Sequence, residues 1–451
     1  MCAVVISQLA KLRSHHSLFF AAPFTLFAWV NGASRQTIEA LYQCGLAISF
    51  PSLLRLLNNL ATRCIEDATR AALDSHLFCY DNINISTSIY VEQRASAPAK
   101  VQSGTFAILY AIHNANPEHM RLSPMLHRAQ QASDLNFMSD VRLTLDQIQM
   151  LHHQFRVHVV KVLFRNSVFK DYQHKSASIF QHIPRRKLPS GLKTKQYPLR
   201  TSTIDESSVT GNIAVINDVY INQLKMTHEQ LSDRAIPCIN DQSTNARIRG
   251  AKALRTQDIN PFTRLNCFQL APGLFHLSMN LIWALLHVHR GSINQLGSLS
   301  YFFTVLDRTR LGGEHPDYHT LLTTLMHILQ GIILNAWKAE CGHSTLTSFL
   351  SAEPSPAQLV EVADRVLQNH ATPLVEPEET DTANENMRIL TRDLLYVVEL
   401  NHAISDGDFG RVEDMLGHLC MIFRGAGSNN YCTEILHFIF NLKKVWTDEF
   451  A

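Results

Sequence analysis

At 451 residues the chain is too long for one compact core and implies two or three domains. Its 46% apolar content excludes general disorder, and 40 Lys and Arg against 39 Asp and Glu leave no global field toward nucleic acid or membrane, so any such attraction must come from a local patch. The nine cysteines include no CxxC pair and are odd in number, which argues against a disulfide framework or structural zinc site and fits a reducing, intracellular compartment.

Leu18 to Val30 (LFFAAPFTLFAWV) follows Lys11, Arg13, His15 and His16 and imitates a signal peptide. A bilayer span needs about 20 residues. This run is shorter, Pro23 interrupts it, and no clean small-residue cleavage pattern precedes Arg35, so it reads as a buried helix. Residues 34–74 read as two helices. Ser34 caps the first, with Ile38, Leu41, Tyr42 and Leu46 near the helical period; Pro51 opens the second, which carries Leu53, Leu54, Leu57 and Leu60. Then the pattern changes. Leu77–Tyr80, Ser88–Val91 and Thr105–Ile112 are short apolar runs between polar turns, as strands of a meander would be. Asn84-Ile85-Ser86 is a formal glycosylation sequon, read here as chance.

Helical periodicity returns over 140–170 through Leu143, Leu145, Ile148 and Leu151. Residues 172–204 hold Lys175, Arg185, Arg186, Lys187, Lys193, Lys195 and Arg200 and no acid, with Pro184, Pro189, Gly191 and Pro198 marking a loop or extended arm. That arm is either a solvated connector or the chain's best nucleic-acid patch. A helix is predicted over 217–231, a strand over 235–240 that stops at Asp241, and a strand over 264–270 before Pro272-Gly273. From Leu274 onward the chain is long helices. An acidic linker with Glu376, Glu378, Glu379, Asp381 and Glu385 precedes further helices over 390–402, 412–423 and 431–446.

Two strands far apart in sequence thus end on aspartates, Asp81 in CYDN and Asp241 in INDQ. A carboxylate at a strand end is fixed by the ladder yet open to solvent. Mg²⁺ takes hard oxygen ligands and keeps several waters, so two or three acids can hold it. Two such ions about 4 Å apart activate a water or hydroxyl and stabilise the leaving oxygen of a phosphodiester. Glu434 is the best third acid: Ile435, Leu436, Ile439 and Phe440 form an apolar helix face, and Asn430, Glu434, His437 and Asn441 the polar one. The plain alternative is a solvated Glu on an amphipathic helix. Asp406 and Asp408 are rivals for the role, although their spacing about Gly407 suits a structural turn. His276 follows the last predicted strand and either belongs to the core or serves to orient a scissile phosphate or protonate a leaving group. Cys341-x-His343 is at most half a metal site.

The order of these features resembles the RNase H-like transposases with a split catalytic domain, of the hAT and Mutator-like types. NDQSTN at 240–245 looks like their second-aspartate segment and PGLFHLSMN like their post-strand histidine segment. Longer phrases, among them QTIEALYQCGLAISFPSLLRLLNNLA, YDNINI, DESSVTGN, APGLFHLSMNLIW, RLGGEHPDYH and GAGSNNYCTEIL, resemble an uncharacterised family of mushroom-type fungi. In that family the second aspartate follows Gly; here Asn240 precedes it, a residue that tolerates left-handed backbone.

The resemblance implies an α/β fold with large all-α portions, an RNase H-like mixed sheet interrupted by a long helical insertion. Its parts would be a helical region at 1–74, the first part of the core at 75–280 with the arm 172–204, an insertion at 281–400, and closing helices at 401–451. It implies catalysis by Asp81, Asp241, Glu434 and His276, with Mg²⁺ or Mn²⁺ on the three acids. It also implies DNA as partner, gripped by Arg185, Arg186, Lys187, Lys193, Lys195 and Arg200, and a nuclear location. An inactive, domesticated remnant fits the same residues. A different class of protein, a non-catalytic helical interaction module built on 281–350, would leave the acids incidental. Neither GxSxG nor a phosphate-binding glycine motif occurs.

Overall fold

The computed structural model describes residues 2–14, 17–86, 101–113, 115–374 and 381–451. The expected strand Ser88–Val91 and the acids Glu376, Glu378 and Glu379 lie outside the described residues. Four helices come first: α1 (Cys2–Arg13), α2 (Ala21–Val30), α3 (Arg35–Gln43) and α4 (Phe50–Ala72). Ser34 caps α3 by accepting the Thr37 N–H, and Ser49 caps α4 through Ser52. Pro51 sits in the first turn of α4, where its missing N–H costs no helical bond. Ala21, Ile38, Ile48 and Leu53 close a small core. The reading of Leu18–Val30 as a buried helix fails, because within α2 only Ala21 and Thr25 are buried while Phe27, Trp29 and Val30 are exposed.

Strand β1 (His76–Ser86) pairs antiparallel with β2 (Val101–Ala111) in a continuous register from His76 opposite Ala111 to Ser86 opposite Val101. Asp81 therefore lies in the middle of a strand, opposite Phe106, and does not end one. Asn82 and Asn84 look like turn residues, yet they continue the ladder, and Asn84 accepts the Ser103 hydroxyl across it at 2.8 Å. Next come α5 (Leu122–Gln131) and α6 (Leu145–Arg165), the latter opened by a reciprocal box between Thr144 and Gln147. Part of the basic arm becomes β3 (Gln196–Pro198), antiparallel to β2; its proline suits an edge.

The single helix expected over 217–231 is broken. Its residues divide among α7 (Val209–Asn217), a wide turn over Asp218–Gln223 and α8 (His228–Ser232), with Lys225 at φ 56° between them. Strand β4 (Ile236–Asn240) ends against Asp241 as expected, and α9 (Gln242–Leu254) follows at once. Strand β5 is Phe268–Pro272, shifted from the expected 264–270 because Leu265 turns the chain at φ 61°. The remainder is helical: α10 (Leu274–His289), α11 (Leu299–Val305), α12 (Tyr318–Glu340), α13 (Leu346–Ser351), α14 (Pro356–His370), α15 (Thr382–Asp406), α16 (Phe409–Glu413), α17 (Leu416–Gly425) and α18 (Asn429–Phe440).

The described chain is mostly helical with a five-strand mixed sheet in the order β3-β2-β1-β4-β5, compatible with an RNase H-like sheet. It divides into two compact units. The first comprises 1–117, 194–237 and 251–267; the second comprises 118–193, 238–250 and 268–451. In the first, α4 packs on β2 and β3, and Tyr80 of β1 donates to Asn212 of α7 at 2.7 Å. In the second, α6, α12, α14 and α15 pack together, while α18 lies on β5. By length and composition α12 could cross a membrane. Its Leu321, Leu325, Leu329 and Trp337 are instead buried in this helical core, where the Trp337 indole donates to the Val159 carbonyl at 3.1 Å.

Candidate functional site

Three of the four expected site residues belong to the second unit and can be located against one another through their partners. Asp241 occupies the position before α9, and its Oδ1 accepts the Thr244 N–H at 2.6 Å. That bond fixes the carboxylate at the strand–helix junction, as an N-cap does. One and two turns further along α9, Asn245 and Arg249 reach Glu434 on α18: Asn245 donates to Oε1 at 2.8 Å and Arg249 to Oε2 at 2.6 Å. Glu434 is 2% exposed, so it is not a solvated residue on an outer helix face. Of the polar face of α18, Glu434 turns inward onto α9, while Asn430 and His437 stay exposed.

The surrounding groups lock this arrangement. Asn245 also donates to the Ala271 carbonyl of β5 and accepts from Asn240, whose own carbonyl takes the Gly273 N–H. Asn240 is therefore an anchor between β4, α9 and the turn before α10. It is not among the residues with left-handed backbone. On α18, Tyr431 accepts from the Asn280 side chain at 2.8 Å, and Asn280 reaches back to the His276 carbonyl at 2.9 Å. Burial, with the negative charges of Asp241 and Glu434 beside it, pushes the Tyr431 phenol well above its ordinary value. His276 is thus on the first turn of α10, joined through Asn280 and Tyr431 to the helix that bears Glu434. Partial desolvation and the Arg249 charge hold His437 below the usual histidine range.

Asp81 belongs to the first unit. It is exposed on β1, and its Oδ1 accepts its neighbour's N–H, that of Asn82, at 2.8 Å. Its charge and that of Glu206 add to burial in pushing the Cys79 thiol up to about 11.

The rivals for the third acid are spoken for. Asp408 is buried and accepts the backbone N–H groups of Arg185 and Arg186 at 3.0 and 2.8 Å, so it is the structural turn residue its spacing suggests. Gly407 before it adopts φ 64° and caps α15, a conformation that suits glycine. Asp406 pairs with Arg411 and Lys187. Cys341 points its thiol at the Lys338 and His343 carbonyls, and the His343 ring packs on Phe349, so the pair is not assembled as half a metal site.

The basic arm also differs from its appearance in the sequence. Arg185 is paired with Asp146 and Asp414, Arg186 with Glu413, and Lys187 with Asp406. All those acids lie outside 172–204, which is why the segment looks uncompensated. Lys193, Lys195 and Arg200 are exposed and have no carboxylate partner among the described residues.

Asn245, Arg249 and Tyr431 escaped sequence reasoning. A signal was present: Asp241, Asn245 and Arg249 recur at i, i+4 and i+8, which places three polar groups on one face of the helix that follows the strand.

A family of unknown function (DUF6589) matches residues 130–451, and the chain belongs to that family. The match includes Asp241, His276 and Glu434 but begins after Asp81. No curated protein and no solved structure matches the chain.

Proposed function

We propose that the chain is a transposase-derived RNase H-like protein that acts on DNA phosphodiesters, with Asp81, Asp241 and Glu434 as its acidic residues. The observation that carries this reading is the placement of acids on the sheet order. Asp81 is on β1, Asp241 follows the neighbouring strand β4, and a buried Glu434 returns on α18 after a long helical insertion. Burying a charge costs several kcal/mol unless it is paired, and here Arg249 and Asn245 supply the partners that let a glutamate occupy that third place.

Carboxylates suit Mg²⁺ or Mn²⁺, which would supply a nucleophile at neutral pH and stabilise the leaving oxygen. The chain's own contribution is positioning: Thr244 fixes Asp241, and Asn245 and Arg249 fix Glu434. Lys193, Lys195 and Arg200 are the cations available to phosphates, and a DNA partner would make the nucleus its place of work.

The Arg249–Glu434 ion pair favours a second reading within the same descent: Arg249 neutralises the acid a cation would need, and the protein is a non-catalytic binder. The experiment is Mg²⁺- or Mn²⁺-dependent nicking of supercoiled DNA by the full chain. The catalytic reading expects nicking that falls at least about 100-fold in Asp81→Asn and Asp241→Asn. Wild-type protein that binds DNA without nicking it in either metal establishes the second reading, and protein that does neither leaves the helical interaction module.

A further inference from the structure

The helical unit contains a second polar cluster, made of residues that no sequence motif joins. His158 on α6, His182 on the arm and Glu399 on α15 bring one ligand-type atom each within 4.8 Å of one another. His158 and Glu399 are buried, and His158 Nε2 lies 2.7 Å from Glu399 Oε2. Arg411 makes two bonds to Glu399, Nε to Oε1 at 2.8 Å and Nη2 to Oε2 at 2.7 Å. The His402 ring packs on both other imidazoles, with centroids 5.3 Å from His158 and 4.3 Å from His182.

Two features point beyond a closed ion-pair network. First, three donors of metal-ligand type converge from three separate elements, with one atom each of His158, His182 and Glu399 within 4.8 Å of the others. Second, His182 is incompletely used. Its Nδ1 meets Gln154 Oε1 at 2.6 Å, while its Nε2 is buried with no hydrogen-bond partner. Such an atom is uncommon in a folded protein and calls for a physical reason.

We infer that His158, His182 and Glu399 form a zinc-class metal site that ties the basic arm to α6 and α15. Two neutral imidazoles and one carboxylate are a donor set that zinc accepts, with a fourth position left for water. Arg411 does not preclude it. Glu399 Oε1 would stay with Arg411 Nε while Arg411 Nη2, now 2.7 Å from Oε2 and 3.3 Å from His182 Nδ1, gives up Oε2 to the ion, and Asp406, 3.1 Å from Nη1, shares the guanidinium charge. On binding, the His158 proton passes from Nε2 to Nδ1, so Nε2 presents its lone pair and no proton is lost. His182 stands three residues before Arg185, so the ion would anchor the arm just where its ion pairs begin.

The test uses the tag-free full chain, loaded with Zn²⁺, dialysed and assayed for bound metal, with Co²⁺ as a spectroscopic probe. One zinc per chain is expected, with a visible cobalt band of a low-coordinate N/O site. Binding should weaken at least 10-fold in His182→Gln, a half-buried arm residue whose replacement spares the core, and in His158→Gln. His402→Gln should retain both signals. Absence of stoichiometric zinc in the wild type overturns the inference, and so does undiminished binding in His182→Gln.

Discussion

Glu434 accepts from Asn245 on one oxygen and from Arg249 on the other, and the two partners differ in what their loss leaves behind. Removing Arg249 strands a carboxylate that is 2% exposed. Removing the charge of Glu434 strands a guanidinium whose side chain is 21% exposed and can turn to water. An unpaired buried charge is the costlier defect, about 3 kcal/mol or more, against about 1 kcal/mol for a lost bond to a solvated group. Urea unfolding should therefore show Arg249→Ala clearly less stable than Glu434→Gln, and equal losses would refute the stated burial. His76 provides a second measurement at this scale. Its Nδ1 donates to the Asp74 carbonyl and its Nε2 accepts from the Tyr220 hydroxyl, which fixes the neutral tautomer. Burial lowers it from 6.5 to about 4. Between those values the unfolded chain binds the proton and the folded one does not, so stability falls as pH drops from about 6.5 toward 4. The full effect is about 3 kcal/mol for this one group. His76→Gln should flatten the pH dependence of unfolding in that window, and a wild-type slope in the variant would show that His76 titrates normally.

At the level of elements, the legible features were local and the illegible ones were not. Ser34 and Pro51 announced α3 and α4 because caps act within one turn. The end of β1 was hidden, because Asn82 and Asn84 are turn-type residues whose strand conformation is set by pairing with Thr105 and Ser103 on β2. The counter-charges of Arg185, Arg186 and Lys187 were equally hidden, since Asp406, Glu413 and Asp414 are more than two hundred residues away. Histidines 158, 182 and 402 are far apart in sequence and are brought together only by the packing of α6, the arm and α15. Gly104 on β2 shows how tightly such pairing is built: a Cβ there would overlap the Ser202 carbonyl oxygen, which accepts the Thr105 N–H at 2.8 Å. Gly104→Ala should cost about 1–3 kcal/mol by overpacking and detach Ser202 from the edge of β2. Amide exchange reads this directly, since the Thr105 N–H should lose protection in the variant and keep it in the wild type.

For the molecule as a whole, a net charge of +1 means that affinity for a polyanion has to come from particular cations. The resemblance assigns six of the arm's seven cations to DNA; of those six, ion pairs claim Arg185, Arg186 and Lys187, and leave Lys193, Lys195 and Arg200. Each phosphate neutralised releases counterions, and the logarithm of the binding constant falls with the logarithm of salt by about 0.9 per contact. Three contacts give a slope of about −3, whereas all six would give about −5. Lys193→Ala, Lys195→Ala and Arg200→Ala should each flatten the slope by about 1. Arg185→Ala should leave the slope unchanged while destabilising the chain, because it frees the buried Asp414 from its partner. Fluorescence anisotropy with a short duplex from 50 to 300 mM salt separates these outcomes. A wild-type slope near −5, lowered by Arg185→Ala, would mean that the arm opens its ion pairs to meet DNA. A slope near zero would remove DNA as the partner and leave Asp241 and Glu434 a structural role alone.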